Sequence, residues 1–262
     1  MKLKMYQVDA FTDKLFAGNP AAVVILESSL SEDVMQSIAS ENNLSETAFV
    51  SIHENPVSIR WFTPSIEVDL CGHATLASAR ILFDYYPNLA GEEINFDSKS
   101  GTLKVTKCND GHCLNFPADQ PIENELDSLF IEILDIEPLK LLKGKDDYLA
   151  VFKNQKQIED MQPKLSLLKK INARGLVISA PGDEVDFVSR CFYPEAGIEE
   201  DPVTGSAHTM LTPYWANQFN KEDLEGHQLS KRGGKLNCRL VNDRVCISGN
   251  SVIYFEGTIS IV

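Results

Sequence analysis

Short apolar runs bounded by Gly, Pro, Asn and Ser recur along the whole chain. Their period predicts strands at 5–11, 21–26, 48–52, 57–62, 101–106 and 113–116, then again at 148–152, 175–179, 186–192, 235–240, 244–248 and 251–257. Helical periodicity interrupts them. Ser31 before Glu32 and Asp33 is a start signal, because a hydroxyl caps open amides and acids suit the dipole. Val34, Met35, Ile38 and Ala39 then share one apolar face of a helix ending near Asn42. Segments 127–134 and 165–171 are similar amphipathic candidates. Segments 74–83 and 207–215 differ, being apolar on nearly every face, which predicts buried helices. Pro213 is expected to kink the second or end it early.

Two stretches share one pattern. Arg60-Trp61-Phe62-Thr63-Pro64 runs through a short loop to Cys71-Gly72-His73-Ala74. Arg190-Cys191-Phe192-Tyr193-Pro194 runs likewise to Thr204-Gly205-Ser206-Ala207. Each reads as strand end, proline turn, loop and glycine-opened helix. The two arginines stand 130 positions apart in a chain of 262, so the chain reads as two similarly built halves. Regular strand–helix alternation is missing, which argues for α+β rather than a doubly wound sheet. The boundary falls in the Pro117 and Pro121 region. A first lobe is placed at 1–118, to which the last strand, 251–262, is open to return, and a second at 119–250.

Composition narrows the partners. Lys plus Arg number 24 against 38 Asp plus Glu, a net charge of −14, which argues against nucleic acid as a partner. The longest wholly apolar run, 21–26, is far short of the roughly 18 residues of a membrane span. The N-terminal lysines precede no apolar stretch, so a cytoplasmic protein is expected. Six cysteines are too few for a disulfide framework. Cys108, His112 and Cys113 lack a second pair at zinc-finger spacing, so no metal site is assigned.

The candidate chemistry lies at the helix starts. Gly72 and Gly205 each precede a buried helix, whose first amides are unpaired and whose dipole is positive. Two such ends facing each other would hold a carboxylate or an enolate oxygen without Arg or Lys. Alternatively, each glycine only permits a tight turn. Glu46 begins an apolar strand, where a carboxylate among apolar neighbours can take and return a proton; the alternative is a surface glutamate at a turn. His73 is either a satisfied core histidine or a group aimed at a ligand. Asp201 bonds His73 or substrate, or starts the turn. Cys71 would have its thiol pKa lowered by the helix start. Its counterpart Thr204 is no comparable base.

Val8-Asp9-Ala10-Phe11, Gly18-Asn19-Pro20-Ala21-Ala22-Val23, Asn43-Leu44-Ser45-Glu46-Thr47-Ala48-Phe49, Phe62-Thr63-Pro64, Cys71-Gly72-His73-Ala74-Thr75 and Glu200-Asp201-Pro202-Val203-Thr204-Gly205-Ser206-Ala207 together resemble the phenazine biosynthesis PhzF-like family. The resemblance implies a diaminopimelate-epimerase-like fold: two pseudo-symmetric lobes, each a mostly antiparallel curled sheet around a buried helix, with the site in the cleft. It implies a cofactor-independent isomerase that moves a proton within a small anionic, carboxylated substrate. The family's type reaction isomerises a dihydro-hydroxyanthranilate. Glu46 matches the proton-shuttling acid, and His73, Asp201 and Ser206 match supporting polar residues. Asn19, Cys71, Gly72, Thr204 and Gly205 match substrate-binding positions. A homodimer is expected on the same ground. Two other readings stay open. One is a two-base epimerase or racemase, disfavoured by Thr204 at the second thiol position; the other is a member that binds a small molecule without turning it over.

Overall fold

The computed structural model describes residues 1–261, which divide into two compact units. The first comprises Met1–Asn115 and the segment from Ser248 onward; the second is Phe116–Ile247.

In the first unit the strands are β1 (Lys2–Ala10), β2 (Asn19–Leu26), β3 (Glu46–Ser51), β4 (Ser58–Phe62), β5 (Glu67–Val68), β6 (Glu93–Phe96), β7 (Leu103–Cys108), β8 (Gly111–Pro117) and β18 (Ser251–Ser260). The helices are α1 (Glu32–Asn42), α2 (Gly72–Tyr85) and the single turn α3 (Pro87–Ala90). The main sheet runs β18-β1-β2-β3-β4-β5, and β6, β7 and β8 form an antiparallel ribbon. Helix α1 connects β2 to its parallel neighbour β3, and the other pairs of the main sheet are antiparallel.

Alternation along β2 and β3 explains their unbroken burial. Val24, Leu26 and Phe49 pack with Met35 and Ala39 of α1. Ala21, Val23, Ala48 and Val50 have the other parity and are equally buried. They turn to the opposite face, where α2 packs on β1, β2 and β3. Asn19 and Glu46 share that second parity, so their side chains project toward α2. Helix α2 is apolar all round, as expected, with Ala74, Leu76, Ala77, Ala79, Ile81 and Leu82 fully buried.

The second unit contains β9 (Ile122–Glu123), β10 (Lys140–Lys143), β11 (Asp147–Val151), β12 (Gly175–Pro181), β13 (Phe187–Tyr193), β14 (Ile198–Asp201), β15 (Asp223–Gln228), β16 (Gly234–Val241) and β17 (Arg244–Gly249). Its helices are α4 (Ser128–Leu134), α5 (Gln155–Asp160), α6 (Leu165–Leu168) and α7 (Gly205–Phe219). The strand order is β17-β16-β15-β13-β12-β11-β10-β9, with β14 also paired to β13.

The repeat is visible strand by strand. In each unit a parallel pair encloses a helix on the connection, β2-α1-β3 and β11-α5-β12. Each then continues through an antiparallel strand, β4 or β13, and a short return strand, β5 or β14, into a buried helix. The register aligns Phe49 opposite Arg60 with Ile178 opposite Arg190. Both arginines donate bidentately to a glutamate, Arg60 to Glu67 and Arg190 to Glu200. Both also lie over a phenylalanine two residues on, Phe62 and Phe192.

Three local expectations need correction. Helix α7 does not end at Pro213 but runs on to Phe219. Proline removes the donor that would have bonded the Thr209 carbonyl, and that carbonyl instead accepts from the Asp119 amide at 3.0 Å. Ser31 is the N-cap of α1, yet its hydroxyl makes no cap bond; Glu32 and Asp33 in the first turn supply the favourable charge. The helix expected over 165–171 is one turn, Leu165–Leu168.

Candidate functional site

In the first unit Asn19 opens β2 and Glu46 opens β3, two parallel neighbours whose register pairs Ala21 with Glu46. Gly18, at φ 65°, is what turns the chain into β2: a Cβ there would press on the Ala10 carbonyl and Thr12. Helix α2 starts beneath them, with Cys71 as its N-cap and Gly72 and His73 in its first turn.

His73 ties these elements together. Asn19 Nδ2 lies 3.2 Å from His73 Nδ1, and Cys71 Sγ lies 3.5 Å from the same nitrogen. On the other side of the ring, Nε2 lies 3.2 Å from Glu46 Oε2. An amide nitrogen only donates, so Nδ1 accepts and the ring proton belongs on Nε2, facing the carboxylate. Burial pushes His73 down to about 3, so the imidazole is neutral at ordinary pH. The His73–Glu46 contact is therefore a 3.2 Å approach of a neutral ring to a carboxylate rather than an ion pair. It is made through Oε2 of the carboxylate. His73 is buried, and only 13% of the Glu46 side chain is exposed.

In the second unit Asp201, Thr204, Gly205 and Ser206 gather at the start of α7. Thr204 is the N-cap, and its hydroxyl donates to Asp201 Oδ2 at 2.5 Å. The hydroxyl of Thr209 donates to the Ser206 carbonyl at 2.7 Å. Neither α2 nor α7 has an acidic residue in its first turn or a side-chain cap. By contrast, Asp127 caps α4 by accepting from the amides of Leu129 and Phe130.

Two residues of this second cluster escaped the sequence reading. Gln228, fully buried at the end of β15, accepts from the Thr204 amide at 2.8 Å and donates to the Asp201 carbonyl at 2.6 Å. Its chain context, His227-Gln228-Leu229, is that of an ordinary strand end and carries no signal. His208, one turn into α7, donates from Nδ1 to the Thr204 carbonyl at 2.8 Å, and burial lowers it to about 4. Its place echoes Thr75 in α2, whose hydroxyl donates to the Cys71 carbonyl at 2.6 Å.

As for metal ligands, His112 is buried in a stack on Phe83, while Cys108 is exposed. Among the described residues, the donors that do converge are Glu46, Cys71 and His73, all within 4.8 Å of one another. No described helix is long and apolar enough to cross a membrane.

The comparisons with known proteins agree with this architecture. The family model for phenazine biosynthesis-like proteins, PhzC-PhzF, matches residues 8–257. A protein of Halalkalibacterium halodurans named an uncharacterized isomerase is 46% identical, covering 96% of each chain. The crystal structure of a PhzF-family phenazine biosynthesis protein from Enterococcus faecalis superposes with a TM-score of 0.96 at 43% identity, covering both chains fully. A hydroxyproline epimerase from Agrobacterium vitis, at 10% identity and a TM-score of 0.61 over 98% of this chain and 91% of its own, shares the fold alone. The fold is thus the α+β epimerase-like one, and the chain belongs to the phenazine biosynthesis-like PhzC-PhzF family.

Proposed function

We propose that the chain is an isomerase that moves a proton within a small carboxylated substrate without a cofactor, with Glu46 taking the proton up and returning it. The observation that carries this reading is the neutral His73 held between Asn19 and Glu46, at 3.2 Å from each. A base in proton transfer needs one oxygen positioned and one available. In this reading the Nε2 edge of His73, 3.2 Å from Oε2, positions the carboxylate, and Oε1 takes the proton. Because the ring is neutral, it stabilises the carboxylate without neutralising it, so Glu46 stays a competent base. After accepting a proton, the same group is in place to deliver it to another carbon on the same face.

The helix starts suit the substrate's charge. With no acid in its first turn and no side-chain cap, α2 leaves its opening amides to an anion, and its dipole favours negative charge there. This local field offsets the net charge of −14. Asp201 and Ser206 are carried in this reading as supporting polar residues, and Thr204 and Gly205 as substrate-binding ones. The relative from Halalkalibacterium halodurans, named an isomerase, supports the reaction class. A cytoplasmic homodimer completes the reading, and light scattering of the purified protein checks the dimer.

The test is exchange in deuterium oxide with a panel of small carboxylated cyclic dienes, dihydro-hydroxyanthranilate first. The wild type is expected to isomerise a panel member, placing solvent deuterium at one carbon. Glu46→Gln should lose at least 10²-fold in rate while unfolding at the same temperature. Inversion at a single stereocentre would establish an epimerase instead. No exchange on any panel member would favour a binding protein.

A further inference from the structure

The geometry points to Glu46, Cys71 and His73 as a three-donor site for a thiophilic divalent cation of the zinc type, whose binding silences the carboxylate. These three side chains bring a carboxylate oxygen, a thiol sulfur and an imidazole nitrogen within 4.8 Å of one another at the mouth of α2. Carboxylate, imidazole and thiolate are the donors zinc selects.

The spacing is close to what such an ion needs. Bonds of about 2.0 Å to nitrogen or oxygen and about 2.3 Å to sulfur set tetrahedral donors about 3.3–3.6 Å apart. The observed neighbours are 3.2 Å for His73 Nε2 to Glu46 Oε2 and 3.5 Å for Cys71 Sγ to His73 Nδ1. The two contacts are to opposite ring nitrogens and an ion takes one of them, so one pair is in range and the other two, within 4.8 Å, close by about 1 Å of side-chain movement each. Binding breaks the Cys71 S–H bond, releases that proton to solvent and forms the sulfur–metal bond. Three protein ligands leave a fourth position for water or a carboxylate.

Binding of the cation does not depend on the proton transfer proposed above; its inhibitory effect does, because a metal on Glu46 Oε2 neutralises the carboxylate that would take up the proton. The two are separated by a readout that needs no substrate. Cobalt(II) titrated into the reduced, metal-free protein is expected to give one equivalent of sulfur-to-cobalt charge-transfer absorption, displaced by zinc. Cys71→Ala and Cys71→Ser should both lose that absorption, and Glu46→Gln should weaken binding at least tenfold. The double variant Cys108→Ala/Cys113→Ala should bind as the wild type does. Absorption that survives in both Cys71 variants, that vanishes in the Cys108/Cys113 variant, or that never appears at one equivalent would overturn the site. If the metal binds as described and exchange continues unimpeded, the site stands and the role of Glu46 as the proton carrier falls.

Discussion

Glu46 of β3 and Gly175 of β12 occupy the same position in the two copies of the repeat. Glu46 pairs with Ala21 across a parallel ladder, and Gly175 pairs with Asp147 across the corresponding one. Where the first unit carries a carboxylate, the second carries no side chain at all. A Cβ at Gly175 would press on the Tyr193 ring and the Phe192 carbonyl. The two units share the scaffold, and only the first has an acid at this position.

Gly175→Ala should therefore destabilise the protein by about 2–3 kcal/mol through overpacking. The Phe192 carbonyl belongs to a paired strand and cannot move aside as a flexible side chain would. Urea unfolding of the variant checks this. A change below about 0.5 kcal/mol would mean that Tyr193 yields and that the packing is looser than the distances indicate.

Asn19 decides which ring nitrogen of His73 carries the proton. Removing its amide in Asn19→Ala takes away the donor to Nδ1 and lets the proton populate that nitrogen too, leaving the Glu46 carboxylate alone to favour Nε2. The expected result is a fall in kcat of about tenfold with KM little changed, since the effect falls on the base rather than on substrate contacts. Nitrogen-15 spectra of labelled histidine should show Nε2 protonated in the wild type and mixed tautomers in the variant. A wild-type tautomer in the variant would remove Asn19 from this role.

Much of this was legible in the chain because it rests on local pattern. The 130-residue offset between Arg60 and Arg190 is written in residue types, and the alternation of β2 and β3 follows from their apolar runs. The buried character of α2 and α7 follows from the lack of a polar face. What escaped depends on distant partners. The continuation of α7 past Pro213 requires the Asp119 amide, about ninety residues earlier, to take the stranded carbonyl. Gln228 reaches back 24 positions to Thr204. The neutrality of His73 comes from burial, which no spacing rule reports.

Gln228 holds the turn that leads into α7. It accepts from Thr204 N and donates to the Asp201 carbonyl, with Thr204 Oγ1 at 3.2 Å from its Nε2. Gln228→Leu keeps the volume but strands a buried amide and a buried carbonyl. A loss of about 2–4 kcal/mol is expected in denaturant unfolding. Gln228→Glu should recover part of it, because a glutamate oxygen still accepts from Thr204 N. Equal stability of the leucine variant and the wild type would show that the turn holds itself.

Acid should unfold the protein through its buried histidines. Burial lowers His73 to about 3 and His112 and His208 to about 4, against an unfolded value of about 6.5. The unfolded chain thus binds more protons than the folded one as pH falls below 6.5. Stability is fully present above that value and declines through the window down to about pH 4. Each such histidine adds up to about 1.4 kcal/mol per pH unit to the slope. His112 is the cleanest probe. Its ring stacks on Phe83 at 5.0 Å, its Nδ1 is buried without a bond among the described residues, and Arg80 and Lys107 add to the burial that lowers it. His112→Phe preserves the stack and removes the titration. At pH 7 the variant should be as stable as the wild type or up to about 1 kcal/mol more so. Between pH 6 and pH 4 its stability should fall more gently, by up to about 1.4 kcal/mol per unit. Parallel curves for the two proteins would mean that His112 is protonated alike in the folded and unfolded states.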